Sequence, residues 1–254
     1  MFRGKNSIAI YGITENPTKN EYMVVIDYAK HGSLRKVLNN KFKKLIWSNK
    51  LVILLTIVNG LKNIHEIGLM HKDFHSENDP EKIYGVIPFM APETLSRGEY
   101  TQASDIYSYG MVMLEVLTSY PPYYNIPHDA NLVMKICKGH KPEIKCEIPQ
   151  FLKKIMEKCW NFEQNNRSTA EELRSQLQKF KSNIHDDEIR KQVEAADESN
   201  KNFILYNPNK MHPEAIYTSR HLTFLKPKKF EDNTHDTKQW DLVIPNNINE
   251  YYIS

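Results

Sequence analysis

One stretch of eight residues constrains this chain more than any other. Residues 71–78 read HKDFHSEN and come directly after a long apolar pattern that ends at Met70. The spacing between Asp73 and Asn78 suits a tight loop that presents a carboxylate and an amide to one point. A carboxylate can orient a hydroxyl group and accept its proton, and an amide oxygen can bind a hard cation beside it. The stretch therefore predicts a catalytic carboxylate next to a metal-binding amide.

Helical periodicity dominates the chain on both sides of this stretch. From Trp47 to Ile67, apolar residues recur at the spacing of one helix face, and further apolar residues widen that face. We therefore expect a helix that is buried on most sides and ends at Gly68. A further helix is predicted from residue 104 to the two prolines at 121–122, with Met111, Leu114 and Leu117 on its inner face. Helices are also predicted over 130–138, 149–159 and 170–180.

Two strand patterns precede the helices. Residues 7–11 and 21–28 are rich in β-formers, and residues 12–20 between them contain loop-forming residues. The apolar run at 23–26 predicts a second strand that is well covered. Ser33 is suited to cap a short helix that extends through Leu38. Strands followed by helices predict an α+β fold.

Composition indicates a globular protein and gives no reason to propose nucleic acid as a partner. The 254 residues are 40% hydrophobic, and 34 basic residues against 31 acidic ones leave a formal charge of +3. The most apolar run, residues 51–58, is too short to span a bilayer, and residues 1–5 lead into no apolar signal segment. Three widely spaced cysteines, Cys137, Cys146 and Cys159, indicate reduced thiols in the cytoplasm or nucleus.

Four motifs in a fixed order carry a family resemblance. HKDxxxxN at 71–78 is followed by Ala-Pro-Glu at 91–93, by SDIYSYG at 104–110, and by a Cys-Trp pair with an arginine at 167. In this order the motifs resemble those of a protein kinase of the tyrosine-kinase-like group, as found in large fungal sets of kinase-like domains. The resemblance covers residues 7–180.

The resemblance implies a domain organisation. It predicts a partial kinase-like domain over residues 1–180, mainly the helical C-lobe (39–180) with a two-strand N-lobe remnant and hinge (1–38). Residues 181–254 form a polar tail that we expect to be partly disordered. Within this tail we predict a short helix over 185–197. Residues 211–220 contain enough apolar side chains to dock onto another surface.

The resemblance also implies catalytic and nucleotide-binding residues. Asp73 would be the catalytic base, and Asn78 would hold Mg²⁺. Ile26 would be the gatekeeper of an ATP site. The backbone at Asp27, Tyr28 and Ala29 would meet the adenine.

Four further residues would have structural roles. His71 would pack beneath the catalytic loop, and Asp105 would accept backbone N–H groups from that loop. Glu93 and Arg167 would form a largely buried, bidentate ion pair. A zinc site at His71 and His75 is the alternative for this histidine, but no third ligand is apparent.

Several parts of the kinase machinery are missing from the sequence. We find no Gly-rich phosphate loop, no third-strand lysine and no Asp-Phe-Gly, and only 13 positions separate Asn78 from Ala91. The chain is therefore expected to be a kinase-family member with impaired catalysis. The resemblance implies ATP and Mg²⁺ as the family's cofactors, but without these parts Asp73 and Asn78 have no positioned triphosphate to act on. Three hypotheses for the function remain open: an incomplete version of an active kinase, a pseudokinase scaffold for signalling proteins, and a fragment that does not fold stably. The partner would be a protein substrate or a signalling protein, without membrane insertion. The basic run at 226–229 is either a localisation signal or an ordinary surface patch.

Overall fold

The computed structural model describes residues 10–16, 18–19, 21–30, 32–71, 83–183 and 186–223. Within these residues the chain folds as a helix-rich α+β protein with two small antiparallel sheets, which confirms the predicted fold class. The strands are β1 (Ile10–Asn16), β2 (Glu21–Ile26), β3 (Tyr84–Gly85) and β4 (Arg220–His221). The helices are α1 (Leu34–Lys41), α2 (Trp47–Glu66), α3 (Pro92–Arg97), α4 (Gln102–Thr118), α5 (Ala130–Cys137), α6 (Gln150–Cys159), α7 (Ala170–Ser182) and α8 (Asp187–Ser199).

Local chemistry explains where the helices begin and end. The Ser33 side chain accepts a hydrogen bond from the Lys36 N–H group and so starts α1 at the predicted position. Thr169 and Glu172 each accept a hydrogen bond from the other's backbone N–H group, which is a capping box at the start of α7. At the end of α2, Gly68 has a φ of +74°, a left-handed conformation that costs glycine little. Each of these helices was predicted within a few residues of its bounds.

The core is formed by α2, α4, α6 and α7. Leu51, Leu54 and Val58 of α2 are completely buried, and α2 packs on both α4 and α7. The predicted inner face of α4, with Met111, Leu114 and Leu117, is buried as well. The expectation that α2 is buried on most sides is confirmed in part: seven of its residues are buried, and Ile53 and Ile57 also pack against the core. Val52 remains 45% exposed.

The β1–β2 hairpin differs from its prediction in two ways. Residues 12–16 were predicted as loop, but they continue β1 and pair with residues 21–25 of β2. Cross-strand pairing outweighs the loop preference of glycine and asparagine here. The expectation that β2 is covered was also wrong, since all of its residues are exposed. Among the described residues this sheet has two strands and no layer that packs on its faces as a core would.

The tail is ordered further than predicted. The helix expected at 185–197 is α8, at Asp187–Ser199. Residues 200–223 are irregular, as expected, but they are packed on the helices: Ala215 and Leu222 are buried, and β4 pairs with β3. The expected docking of residues 211–220 is therefore onto the chain's own helical lobe.

Two further observations concern the described part of the chain. None of its helices has the length and apolarity needed to cross a membrane. None of its histidine, cysteine, aspartate and glutamate side chains form a cluster able to hold a metal ion.

Candidate functional site

The entry to the predicted catalytic stretch is held by one carboxylate. Asp105, in the first turn of α4, is largely buried, and its Oδ2 accepts a hydrogen bond from the His71 N–H group at 2.7 Å. The same oxygen lies 2.9 Å from Nε2 of His65, in the last turn of α2. A carboxylate that binds two donors in a poorly solvated place fixes the backbone strongly. Asp105 therefore fixes the backbone of His71, the last described residue before the predicted catalytic residues.

Residues 72–82 lie outside the described residues. Asp73, the predicted base, and Asn78, the predicted metal ligand, belong to this interval, as does His75 of the alternative zinc pair. Their roles stay predictions. The structure describes the residue on each side of this interval, His71 and Ile83. Eleven residues therefore connect these two positions.

Gln102 is a second support of this entry, and the sequence motifs gave no sign of it. Its Nε2 donates to the carbonyl oxygen of His65 at 3.0 Å and to that of Leu69 at 3.2 Å. The His65 carbonyl belongs to the last turn of α2, and the Leu69 carbonyl follows the helix by three residues. Gln102 thus ties the end of α2 to the start of α4, next to Asp105. The only available signal was its position three residues before that aspartate.

The ion pair between Glu93 and Arg167 holds the Ala-Pro-Glu segment. Arg167 Nη1 lies 2.6 Å from Glu93 Oε1, and Nη2 lies 2.9 Å from Oε2. The two side chains are 0% and 5% exposed, respectively, and the Ser104 hydroxyl donates a further hydrogen bond to Oε1. Burial alone would raise the pKa of Glu93, but the hydrogen bonds and charge of Arg167 hold that pKa below its usual value. The carboxylate is therefore ionised and paired.

The remaining donors of Arg167 are also satisfied. Its Nε donates to the Asn161 carbonyl at 2.8 Å, and Nη1 donates to the Ala103 carbonyl at 2.9 Å. The guanidinium lies 5.3 Å from the centre of the Tyr107 ring. One arginine therefore joins the Ala-Pro-Glu segment to α4 and to the loop after α6.

The four residues predicted to meet ATP lie at the surface. Ile26, Asp27, Tyr28 and Ala29 are all exposed, Tyr28 by 83%. The Asp27 carboxylate accepts the Tyr28 N–H group at 2.9 Å, so that one of the backbone donors expected to face adenine has a local partner. Ile26 ends β2 and the other three residues follow it, all exposed within the part of the chain that the structure describes. Their nucleotide-binding role stays a prediction.

A small cavity of about 30 Å³ lies between Asp105 and the residues that precede Ala-Pro-Glu. Its lining includes Gly85, Met90, Tyr100 and Asp105. A cavity of this size has room for a water molecule but not for a nucleotide or a side chain. It separates the Ala-Pro-Glu segment from the carboxylate that holds His71.

A second, partly buried ion pair was not predicted. Arg35 of α1 binds Glu115 of α4 through two hydrogen bonds, Nε to Oε1 at 2.6 Å and Nη2 to Oε2 at 2.9 Å. It connects the helix that follows the predicted hinge to the core of the lobe. The sequence gave no signal for it, because the two residues are eighty positions apart.

The cysteines offer no nucleophile in the described site. Cys159 is completely buried, as predicted, and burial raises its pKa to about 12. Burial likewise raises the pKa of Cys137 to about 11. Thiols with these pKa values stay protonated near neutral pH, and the thiolate is the reactive form.

Comparison with known proteins decides the family. The profile of the protein tyrosine and serine/threonine kinase family matches residues 1–79 and 80–177. The chain belongs to this family. The match confirms the kinase resemblance drawn from the four motifs, and the described fold agrees with a mainly helical C-lobe.

Individual relatives have low identity to the chain. A probable LIM domain-containing serine/threonine-protein kinase of Dictyostelium discoideum is 26% identical over 204 residues, which is 70% of this chain and 21% of the relative. A probable serine/threonine-protein kinase of the same organism is 28% identical over 198 residues, 67% of this chain and 30% of the relative. Ephrin type-A receptor 5 of Gallus gallus is 27% identical over 210 residues, 71% of this chain and 20% of the relative. The chain thus spans less than a third of the length of these relatives.

Proposed function

We propose that this chain is a kinase of the tyrosine-kinase-like group in which ATP-dependent phosphorylation of proteins is impaired. Membership of the family supplies the chemistry, which is transfer of the γ-phosphoryl group of Mg·ATP to a protein hydroxyl. Asp73 would orient that hydroxyl and take its proton, and Asn78 would hold one Mg²⁺. The backbone at residues 27–29, after Ile26, would contact the adenine.

The single observation that carries the impairment is the short connection between two fixed points. His71 is fixed by Asp105, and Ile83 is buried with its carbonyl bonded to the Leu222 N–H group at 2.9 Å. Only residues 72–82 join them, and they contain no Asp-Phe-Gly. In kinases the aspartate of Asp-Phe-Gly binds Mg²⁺ in addition to the loop asparagine, and these metal ions neutralise the charge of the triphosphate. The family match also divides inside this interval, between residues 79 and 80.

Two alternatives are each favoured by an observation. A role as a protein-binding scaffold without phosphoryl transfer is favoured by the helical lobe, whose ion pair at Glu93 and Arg167 is complete. The division of the family match favours an incomplete version of an active kinase, because residues 1–79 and residues 80–177 each match the family. In either case the partner would be a protein, and the free thiols Cys137, Cys146 and Cys159 support a cytoplasmic or nuclear location.

The first test is the sequence of the gene's full transcript. The proposal expects a transcript that encodes the present residues 71–91 without an insertion. A transcript with additional in-frame residues between Asn78 and Asp79, including Asp-Phe-Gly, would replace the proposal by an active kinase in which Asp73 is the base.

The second test is a direct assay of the 254-residue protein. Titration calorimetry with Mg·ATP up to millimolar concentration is expected to give no saturable heat, and incubation with a generic acceptor protein to give no phosphate transfer above background. The matched control is Asp73→Asn, which removes the predicted base without changing side-chain size. Turnover that disappears in Asp73→Asn would overturn the impairment and assign the base at once.

A further inference from the structure

A long stretch of the chain contains no acidic residue. Between Asp27 and Glu66 there is no aspartate or glutamate, whereas eight lysines and arginines lie among these 38 residues. With neutral histidines the stretch has a formal charge of +8, so the chain total of +3 leaves −5 for all the other residues. A charge asymmetry of this size indicates an anionic partner for the stretch.

Three of the eight cations have partners inside the lobe. Arg35 and Lys62 form ion pairs with carboxylates, and Lys50 is buried with its ammonium group donating to a backbone carbonyl. The other five are exposed, and among the described residues they form no ion pair. These five lysines, here called the basic surface, are Lys30, Lys36, Lys41, Lys43 and Lys44.

The fold presents three of these lysines on a fixed turn. Phe42 is 8% exposed, and it begins a 3-10 turn in which the Leu45 N–H group donates to the Phe42 carbonyl at 3.0 Å. The ammonium group of Lys50 lies 4.0 Å from the centre of the Phe42 ring and 4.4 Å from that of Trp47. Because Phe42 is held in the core, the lysines on either side of it extend into solvent.

Ile46 adds an exposed apolar side chain next to the basic surface. It is the N-cap residue of α2, and 65% of its surface is exposed. Isoleucine is among the least favourable residues at an N-cap, where serine or asparagine would accept an N–H group of the first turn. A residue that breaks a local rule of helix formation and is left exposed is a candidate for contact with an outside apolar phase.

The chemistry of these side chains matches a lipid surface better than a nucleic acid or a phosphopeptide. Lysines are flexible point charges, which suit a diffuse layer of headgroups, whereas recognition of individual phosphate groups favours the planar fork of arginine. All five cations of the basic surface are lysines. An apolar side chain beside them fits the boundary between headgroups and acyl chains, and a bilayer provides both the charge and that boundary.

We propose that the basic surface and Ile46 bind the surface of a bilayer that contains anionic lipids. The lysines lie among the headgroups, and Ile46 enters the boundary with the acyl chains. The contact is peripheral, and no segment crosses the bilayer. It concerns binding alone and does not depend on phosphoryl transfer by the chain.

Co-sedimentation of the 254-residue protein with lipid vesicles tests the proposal. At physiological ionic strength the wild type is expected to bind phosphatidylcholine vesicles that contain about 30% phosphatidylserine, and not vesicles of phosphatidylcholine alone. The combined variant Lys41→Gln, Lys43→Gln, Lys44→Gln should bind about a hundredfold more weakly, because each lysine near an anionic membrane contributes about fivefold.

The matched control makes the same change in net charge elsewhere on the surface. It combines Lys135→Gln, Lys154→Gln and Lys191→Gln, which replace exposed lysines of three other helices. Its affinity for the vesicles is expected to stay within about threefold of the wild type, since charges farther from the membrane than a Debye length are screened. Equal weakening by the two triple variants would overturn the proposal, and so would a wild type that does not bind the anionic vesicles.

Ile46→Asn separates a lipid surface from a soluble polyanion. Asparagine is a good N-cap residue, so this variant should melt at a higher temperature than the wild type. It should nevertheless bind the vesicles about tenfold more weakly, because burial of the exposed part of the isoleucine is lost. Unchanged vesicle binding by Ile46→Asn, together with full competition by a single-stranded oligonucleotide, would assign the surface to a soluble polyanion and overturn the proposal.

Discussion

Leu54, in the middle of α2, is completely buried, whereas Val24, in the middle of β2, exposes 57% of its surface. Both residues lie in apolar runs of similar strength, yet one is in a packed lobe and the other in a two-stranded hairpin. Buried apolar surface is the main favourable term in folding, and a hairpin without a second layer is marginal in water. The comparison teaches that the stability of this chain resides in the helical lobe and that the hairpin contributes little to it.

The largest effect is expected from breaking the ion pair that belongs to the lobe. Glu93→Gln leaves the buried guanidinium of Arg167 without its charge partner, and such one-sided changes cost about 3–5 kcal/mol. The free energy of unfolding from urea titration measures the loss. The control Glu157→Gln alters an exposed carboxylate on α6 and should change this free energy by less than about 0.5 kcal/mol. Equal effects of the two variants would contradict the assignment of stability to the buried pair.

A smaller loss is expected at Gly110, where α4 lies close to the end of α6. A Cβ atom at position 110 of α4 would come within 2.5 Å of Trp160 Nε1 and 2.7 Å of Cys159 Cβ. Gly110→Ala should therefore cost about 1–3 kcal/mol of unfolding free energy through overpacking, although alanine favours helices.

A double-mutant cycle with Trp160→Phe tests whether the loss comes from this contact. The smaller ring makes room for the methyl group, so the two changes together should cost less than their sum. Strictly additive losses would mean that the close approach is not the cause.

Acid should loosen the contacts of residues 214–216 with His128. Burial lowers the pKa of His128 below its ordinary value of 6.5, against hydrogen bonds to the Ile216 and Tyr123 backbone, and the charges of Arg220 and His212 lower it further. Above pH 6.5 the imidazole is neutral in both folded and unfolded chains, so its contribution to stability is fully present. Below pH 6.5 the unfolded chain binds the proton first, and this contribution is lost.

Urea midpoints at pH 7.5 and 5.5 measure this loss in the wild type and in His128→Gln. The variant cannot titrate at this position, so its midpoint should fall less on acidification than that of the wild type. A parallel fall in both proteins would assign the pH dependence to other groups.

The smallest effect is expected in the hairpin. Val24→Ala should change the free energy of global unfolding by less than about 0.5 kcal/mol, because the exposed side chain loses little burial. The matched change Val58→Ala, at a completely buried position of α2, should cost about 2 kcal/mol. A large loss in Val24→Ala would show that the hairpin is part of the cooperative unit and would break the comparison.

Features that depend on nearby residues could be predicted from the sequence, whereas contacts between distant segments could not. Ser33, Gly68 and the inner face of α4 act locally, so pattern and capping chemistry located them. The Glu93–Arg167 contact came from the family resemblance, because nothing within either segment indicates a partner seventy-four positions away. The predicted catalytic residues, Asp73 and Asn78, lie outside the described residues, so their geometry stays a prediction.

The failures have a common physical cause. The apolar run of β2 predicts a strand that is covered by other elements. A sequence pattern indicates which side chains a strand could bury, but it does not show whether another element packs on them. Gln102 and the Arg35–Glu115 pair were missed, and the surface that residues 211–220 contact was not identified, because each depends on contacts between segments distant in sequence. Tertiary contacts of this kind leave no periodic signal.

The guanidinium of Arg35 connects the core of the helical lobe to Tyr217. It binds Glu115 of the core and also faces the ring of Tyr217, and its helix begins just after the exposed residues 26–29. Thermodynamic linkage is reciprocal. If an occupant of residues 26–29 shifts α1 and so changes how firmly Tyr217 is held, departure of Tyr217 must change the affinity for that occupant by the same factor.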